Sequence, residues 1–317
     1  MKSYILKSNG GIENLVESSD SIPDLQPDEV LIKTKAIGLN PIDSAVRQYP
    51  HMLEMITQPN IPDKVILGWD VTGVIEKVGS QVTAFREGDA VYGLLNMPGL
   101  GRTNATYVAA SSTHIALKPA ELTFAQAAAV PMAALTAYQA VLQAQITPGE
   151  RVLVHGASGG VGHFAVQIAK QLGACVIGTS SAKNKAFVES LGVDEWIDYQ
   201  ARPFEEVVAK VDVVIDTVNS VEHICRSISV LTTGGRLVYL QPHFESQLED
   251  ALAKASVRGY GIFVNSSGEN LTKISELIEK GFVRPHVSQE FSFSQLPQAH
   301  LALEAGQTPG KIVVRVD

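Results

Sequence analysis

The stretch Arg151-Val-Leu-Val-His155-Gly-Ala-Ser-Gly-Gly-Val-Gly162 decides the fold. Arg151–His155 is a short apolar run of the length and composition of a strand buried on both faces. Glycines and other small residues then turn the chain, and a helical pattern begins at once. Val161, Ala165, Ile168 and Leu172 share one helix face, which Gly173 closes. Cys175-Val-Ile-Gly-Thr179 reads as the next strand, so Arg151–Thr179 is a strand–helix–strand unit. The spacing Ala157-x-Gly159-x-x-Gly162 has a physical logic in that place. Gly159 lets the backbone approach a pyrophosphate, Gly162 lets the helix pack closely on the strand, and the free amides at the helix start face the phosphates. A glycine string alone is weak evidence. Between a strand and a helix, inside such a unit, it predicts a bound dinucleotide.

Working outward, Val211–Asp216, Arg236–Leu240 and Gly261–Val264 are further short apolar runs. Strands alternating with helical patterns over residues 122–265 predict a doubly wound parallel sheet covered on both faces. Residues 1–121 read differently. Val30–Ala36, Asp70–Gly79 and Gly88–Gly93 are short, β-branched and punctuated by glycine, which predicts a compact barrel-like β domain. Helices are expected near 270–280 and 296–305, with a last strand over Lys311–Val316, and this tail fits either domain on pattern alone. Leu122–Gly149 carries no charge, yet it holds four glutamines and a mid-span Pro131, and its apolar content is mostly alanine. It reads as a buried element rather than a membrane span.

The 317 residues exceed what one hydrophobic core usually serves, so two domains are expected. Hydrophobic residues make up 45% and charged residues 18%, which excludes a disordered or fibrous chain. A net charge of −8 opposes loose binding to nucleic acid or anionic membranes. Two cysteines, Cys175 and Cys225, exclude a disulfide framework and a four-cysteine zinc lobe, and point to the reducing cytosol. Met1–Gly10 has no apolar core of signal-peptide length, so a cytoplasmic location is the expectation.

Cofactor choice is read at the end of the second strand, where an acidic residue would hold an NAD ribose. No Asp or Glu occurs between Cys175 and Val188; the chain offers Thr179-Ser-Ser-Ala-Lys-Asn-Lys185 instead. Small hydroxyls and lysines suit a 2′-phosphate and favour NADPH, although Lys183 and Lys185 also fit a solvated helix start.

These stretches, with Ala127–Tyr138, Pro148–Gly162 and Leu191-Gly-Val-Asp194, resemble the medium-chain dehydrogenase/reductase superfamily, and more narrowly its zinc-free quinone oxidoreductase branch (zeta-crystallin-like). The resemblance extends to Gly38–Asp43, Gly68–Val74 and Gly310–Arg315. It implies a GroES-like β-barrel catalytic domain over 1–121 and 266–317, a Rossmann domain over 122–265, and an active cleft between them. It implies that Asn40 and Thr136 approach the nicotinamide and its ribose, and that Ser158, Gly159, Gly160 and Val161 cover the pyrophosphate. Ser180, Lys185 and Tyr199 would surround the 2′-phosphate, Phe263 and Val264 would lie near the nicotinamide, and Lys311 near the cofactor phosphates. Zinc-dependent relatives carry a cysteine at the position of Asn40 and a His-Glu pair at Trp69-Asp70, so no metal is expected. The eight histidines show no metal spacing. A homodimer through the Rossmann edge strand, placed at Gly261–Val264, is implied as well.

Without a metal to hold an alkoxide, acceptors that are electrophilic by themselves remain: quinones and conjugated enones or enals. Tyr49 follows the cleft loop where related enoyl reductases carry a tyrosine, though out of register; proton donor, substrate lining and surface aromatic all stay open. Asp43 reads as a helix cap. Two alternatives to a quinone or enone reductase stand. One is an enoyl-thioester reductase, against which Tyr49–Ile61 offers no lysine or arginine for a carrier phosphate. The other is a non-catalytic NADPH-binding protein with a structural or sensing role.

Overall fold

The computed structural model describes residues 1–57, 61–218, 220–240, 242–306 and 308–316. The chain divides into two compact units, Met1–Leu135 with Asn265–Asp317, and Thr136–Val264.

In the first unit, the strand Glu29–Leu39 is the hub. It pairs antiparallel with Asp70–Val78, with Tyr107–Ser111 and with Lys311–Arg315. Ala90–Leu94, Ile115–Leu117 and Val287–Ser292 complete a seven-stranded sheet, and Leu15–Ser19, Lys2–Leu6 and Val65–Ile66 form a smaller one. Val30, Ile32, Val71, Ile75, Val91, Leu95, Val108, Ala110 and Ile115 make one continuous apolar core. The tail is thus assigned: Ile312 lies opposite Leu39 and Arg315 opposite Ala36. Lys311 lies next in line and faces the end of the hub strand.

The alanine-rich run corrects the expected boundary at 121/122, because residues 122–135 stay with the first unit. The helix Phe124–Ala128 packs on the hub strand through Ala36, Ala125, Ala128, Ala129 and Val313. Its backbone comes so close that a Cβ on Gly38 would lie 2.2 Å from the Ala128 carbonyl oxygen. Only small side chains permit that approach, which explains the composition. The boundary falls inside the next helix, Pro131–Ala144.

The second unit is a six-stranded, all-parallel sheet in the order Glu195–Asp198, Cys175–Ser180, Arg151–Val154, Val211–Asp216, Leu231–Tyr239, Arg258–Gly261. Chain order reverses at Arg151–Val154, and in open sheets of this kind ligands bind beyond the carboxyl end of the strand at the switch point. Val152, Leu153, Val154, Val213, Val214 and Ile215 are fully buried, as central parallel strands demand. One expectation shifts. The edge strand is Arg258–Gly261, not Gly261–Val264: Ile262 donates its N–H to Tyr239 O at 2.9 Å and the ladder ends there. Arg-Gly-Tyr-Gly lacks an apolar signature, so the strand pattern is read a few residues late. Phe263 and Val264 lie beyond the strand.

Candidate active site

The glycine loop sits where the chain order reverses. Gly156 has φ +65°, and a Cβ there would meet Thr217 Oγ1 at 2.4 Å. A Cβ on Gly162 would lie 2.1 Å from the Gly156 carbonyl oxygen, so the helix start presses on the turn itself. Ala157 N–H bonds Thr179 O at 2.9 Å and Gly159 N–H bonds Gly156 O at 2.8 Å, which locks the curl. The helix Gly162–Gln171 then begins with no side chain capping its first turn. Backbone amides and the positive end of the helix dipole suit an anion at this point. The loop therefore fits a dinucleotide pyrophosphate, with Ser158, Gly159, Gly160 and Val161 along it.

Ser180 ends the neighbouring strand, and its surroundings join several expected residues. The buried Ser180 hydroxyl donates to Ser181 O at 3.1 Å and accepts from Trp196 Nε1 at 2.8 Å. Lys185 opens the helix Lys185–Ser190, and its ammonium lies 4.8 Å from the Trp196 ring centre and 3.8 Å from a Glu189 carboxylate oxygen. Asn184 Nδ2 donates to Ser158 Oγ at 3.1 Å, tying this turn to the glycine loop. Tyr199 is half exposed, and only its backbone N–H reaches Ser180, at 3.4 Å. Sequence reasoning missed Trp196, which sits on a short strand sixteen residues beyond Ser180. Thr136 is buried on the helix Pro131–Ala144.

In the first unit, Asn40 follows the hub strand and precedes the helix Pro41–Gln48. Its Nδ2 donates to Asp70 Oδ2 at 2.9 Å, and its Oδ1 accepts from the Lys311 ammonium. Lys311 also donates to Leu39 O at 2.7 Å and lies 3.5 Å from Asp70 Oδ2. Asp70 Oδ1 accepts the Met132 N–H at 2.7 Å. All three side chains are buried. Burial pulls Asp70 up and Lys311 down, while their mutual attraction opposes both shifts. The Lys311 ammonium is thus engaged by three oxygens inside the first unit. Asp43 Oδ2 accepts the Asn40 backbone N–H at 2.8 Å, three residues into the helix rather than ahead of it. Burial, and next the nearby Asp70, push the Asp43 carboxyl up to about 7, against the Asn40 hydrogen bond and Lys311.

The residues at the family's zinc position do not fit that metal. Catalytic zinc takes thiolate, imidazole and carboxylate ligands with one open position. Here stand an amide, an indole whose N–H bonds Gly99 O at 2.6 Å, and a carboxylate already shared with a lysine. A second cation would meet the Lys311 charge. Among the described residues, His155, Asp216 and His223 are the one set of three groups close enough to hold a metal. Their hydrogen bonds describe a clamp. Asp216 accepts from Val218 N–H at 2.8 Å, Ser227 Oγ at 2.9 Å and His223 Nδ1 at 2.9 Å, so three donors already occupy its carboxylate. Burial alone would push Asp216 up, but the His223 hydrogen bond and the other partners hold it low. Burial drives His155 down to about 3, so its ring is neutral beside Thr179. Tyr49 ends the Pro41–Gln48 helix half exposed, its ring 5.8 Å from that of His51.

Comparison with known proteins agrees with this geometry. The Alcohol dehydrogenase GroES-like domain family matches residues 26–140, the Zinc-binding dehydrogenase family residues 191–314, and the Alanine dehydrogenase/PNT C-terminal domain family residues 124–223. The chain is 36% identical to the 2-methylene-furan-3-one reductase of Solanum lycopersicum, across 99% of this chain and 79% of that protein. It is 34% identical to the chloroplastic NADPH-dependent alkenal/one oxidoreductase of Arabidopsis thaliana, with the same shares covered. The solved quinone oxidoreductase of Coxiella burnetii superposes with a TM-score of 0.92 at 33% identity, covering 100% of this chain and 99% of that one. No helix among the described residues is long and apolar enough to cross a membrane. A dinucleotide-binding unit with NAD(P)H-dependent relatives identifies the cofactor as a nicotinamide dinucleotide. From its hub strand to its glycine loop, the chain belongs to the medium-chain dehydrogenase/reductase superfamily, with quinone and alkenal oxidoreductases among its relatives.

Proposed function

We propose that the protein is an NADPH-dependent reductase that transfers hydride to quinones or α,β-unsaturated carbonyls without a metal. The observation that carries this reading is the Lys311 ammonium lodged between Asn40 and Asp70, where zinc-dependent relatives place their ligands. With no Lewis acid to hold an alkoxide, alcohols are poor substrates, and acceptors already electron-poor at carbon are favoured. The names of the Arabidopsis and Coxiella relatives support the same two classes.

The bound nicotinamide supplies the hydride. The chain supplies position and charge. The loop Ser158–Val161 holds the pyrophosphate on backbone amides. Ser180 and Lys185 bind the 2′-phosphate, at a strand end that carries no carboxylate to repel it. Asn40 is pinned at both ends of its amide, by Asp70 and by Lys311, so its orientation is fixed before substrate arrives. The proton that completes reduction comes from water; Tyr49 is exposed and lines the substrate side.

A panel followed by NADPH absorbance tests this: quinones, enals, enones and enoyl thioesters, and alcohols with the oxidised cofactor. Turnover on quinones or enones is expected, with Tyr49→Phe retaining most of it. Turnover confined to enoyl thioesters, or to alcohols, would overturn the reading. No turnover on any acceptor, with NADPH still bound, would make the chain a cofactor-binding protein of another kind.

A further inference from the structure

We infer that Trp196 is a specificity-determining residue for the cofactor's 2′-phosphate, acting on Lys185 and Ser180 rather than on the ligand. The inference rests on the NADPH reading above and deepens it.

Lys185 is a weak reader of phosphate if left alone. Its side chain is half exposed, and a lysine on a helix surface spreads over many rotamers. Its near charged partner is Glu189, one turn along the same helix at 3.8 Å, which draws the ammonium down the helix and away from Ser180. Trp196 supplies the opposing attraction. It stands on Glu195–Asp198, the strand beside Cys175–Ser180, with the Lys185 ammonium 4.8 Å from its ring centre. A cation within about 6 Å of an indole face is attracted to it. The ring therefore holds the ammonium beside the end of the Ser180 strand without placing an anion there. A carboxylate in the same position would attract the lysine as well, but it would also repel the phosphate.

The other edge of the indole acts on Ser180. A hydroxyl has one proton to donate and lone pairs that accept. Trp196 Nε1 donates to Ser180 Oγ at 2.8 Å and takes up an acceptor position. The Ser180 proton now points to Ser181 O at 3.1 Å, an exchangeable backbone partner. The hydroxyl is thereby set up to donate. A 2′-phosphate only accepts, so this polarity suits it; a ribose 2′-hydroxyl both donates and accepts and gains less. One side chain thus prepares both groups that meet the phosphate. Asp198, opposite Ser180 in the ladder, has a carboxylate oxygen bonded to the Gln200 N–H at 3.0 Å, and Glu189 is held by Lys185 itself.

The test is a set of dissociation constants for NADPH and NADH, by fluorescence titration of wild type, Trp196→Phe, Trp196→Leu, Lys185→Ala and the Trp196→Leu/Lys185→Ala double variant. Trp196→Leu should weaken NADPH by about threefold to tenfold while NADH stays within about twofold. Trp196→Phe keeps a ring but loses the N–H, so its loss should be intermediate. The double variant should lose less than the product of the two single losses, because the lysine and the ring act together. Trp196 is half buried at the sheet edge; if the leucine variant unfolds, the phenylalanine variant and its selectivity ratio decide. An NADPH preference that survives both Trp196 variants, or equal weakening of both cofactors, overturns the inference alone. Equal wild-type affinity for the two cofactors overturns the NADPH reading and the inference with it.

Discussion

The Lys311 ammonium and the Asp70 carboxylate lie 3.5 Å apart, both buried, joined through the side-chain amide of Asn40. They are 241 residues apart in sequence and meet because the last strand pairs with the hub strand. Removing one partner of a buried pair leaves an uncompensated charge. Lys311→Met should therefore cost about 3–5 kcal/mol in urea unfolding, and Lys311→Met/Asp70→Asn should recover part of it. Equal stability of Lys311→Met and wild type would show that the pair contributes nothing.

The same pair bears on metal. Asn40, Trp69 and the engaged Asp70 are a poor donor set for zinc, so the purified protein should hold no stoichiometric zinc by elemental analysis. Incubation with a strong chelator should leave turnover unchanged. One zinc per chain, lost together with activity on chelation, would refute this.

Asp43 gives the first unit a pH signature. Its folded value of about 7 stands above the 3.8 of an unfolded aspartate. Between those values the folded protein keeps a proton that the unfolded chain has released. Stability should fall as pH rises through this window and level off above about 7, with a slope from this residue of at most about 1.4 kcal/mol per pH unit. Asp43→Asn can still accept the Asn40 N–H and should remove that slope. Urea midpoints of the two proteins across pH 4 to 8 isolate the effect, since other carboxylates titrate alike in both. Parallel curves would exclude a raised Asp43.

What the sequence made legible was local. Arg151–Gly162 carries strand, turn and helix start within twelve residues, so the dinucleotide loop and the parallel sheet can be read directly. The hub strand and Asp70–Val78 were visible for the same reason. Relations across long separations were not. The tail fits either domain on pattern alone, and the pairing of Ile312–Arg315 with residues 36–39 assigns it. The burial of Lys311 against Asn40 and Asp70 is equally illegible, because a buried lysine cannot be told from an exposed one by its neighbours in sequence. Glu195–Asp198 is not legible, because a four-residue strand that begins and ends in acids has neither apolar run nor alternation, and Trp196 lies on it. The alanine run Ala125–Ala129 reads as a buried element, but its allegiance depends on a backbone approach to Gly38 that no pattern reveals.

Gly162 tests the loop itself. A Cβ 2.1 Å from the Gly156 carbonyl oxygen meets backbone, which has no flexible end to yield. Gly162→Ala must open the turn or shift the helix Gly162–Gln171, moving the amides that the proposed function assigns to the pyrophosphate. Affinity for NADPH and NADH should fall together, by more than about tenfold, which is a loss above ~1.4 kcal/mol. Gly149→Ala is the control: nothing lies within 4 Å of its Cβ and it stands outside the loop, so its positive φ of +86° costs backbone strain without displacing the turn. Equal behaviour of the two variants would remove the loop from cofactor binding.

The discrimination between cofactors is separable from that common loss. The strand Cys175–Ser180 ends in hydroxyls, with no carboxylate to accept bonds from a free ribose. Lys185 begins the next helix and reaches the same region as a point charge. A partly exposed lysine–phosphate contact is worth about 1–3 kcal/mol, or roughly 5- to 150-fold. Lys185→Ala should therefore weaken NADPH by a factor in that range and leave NADH nearly unchanged. Ser180→Asp should invert the preference. The new carboxylate would repel a 2′-phosphate, would bond both hydroxyls of an unphosphorylated ribose, and would still accept from the Trp196 indole N–H that Ser180 accepts from now. Paired dissociation constants for each variant measure both effects. If Lys185→Ala weakens the two cofactors alike, or Ser180→Asp keeps the wild-type order, these residues do not read the 2′-phosphate.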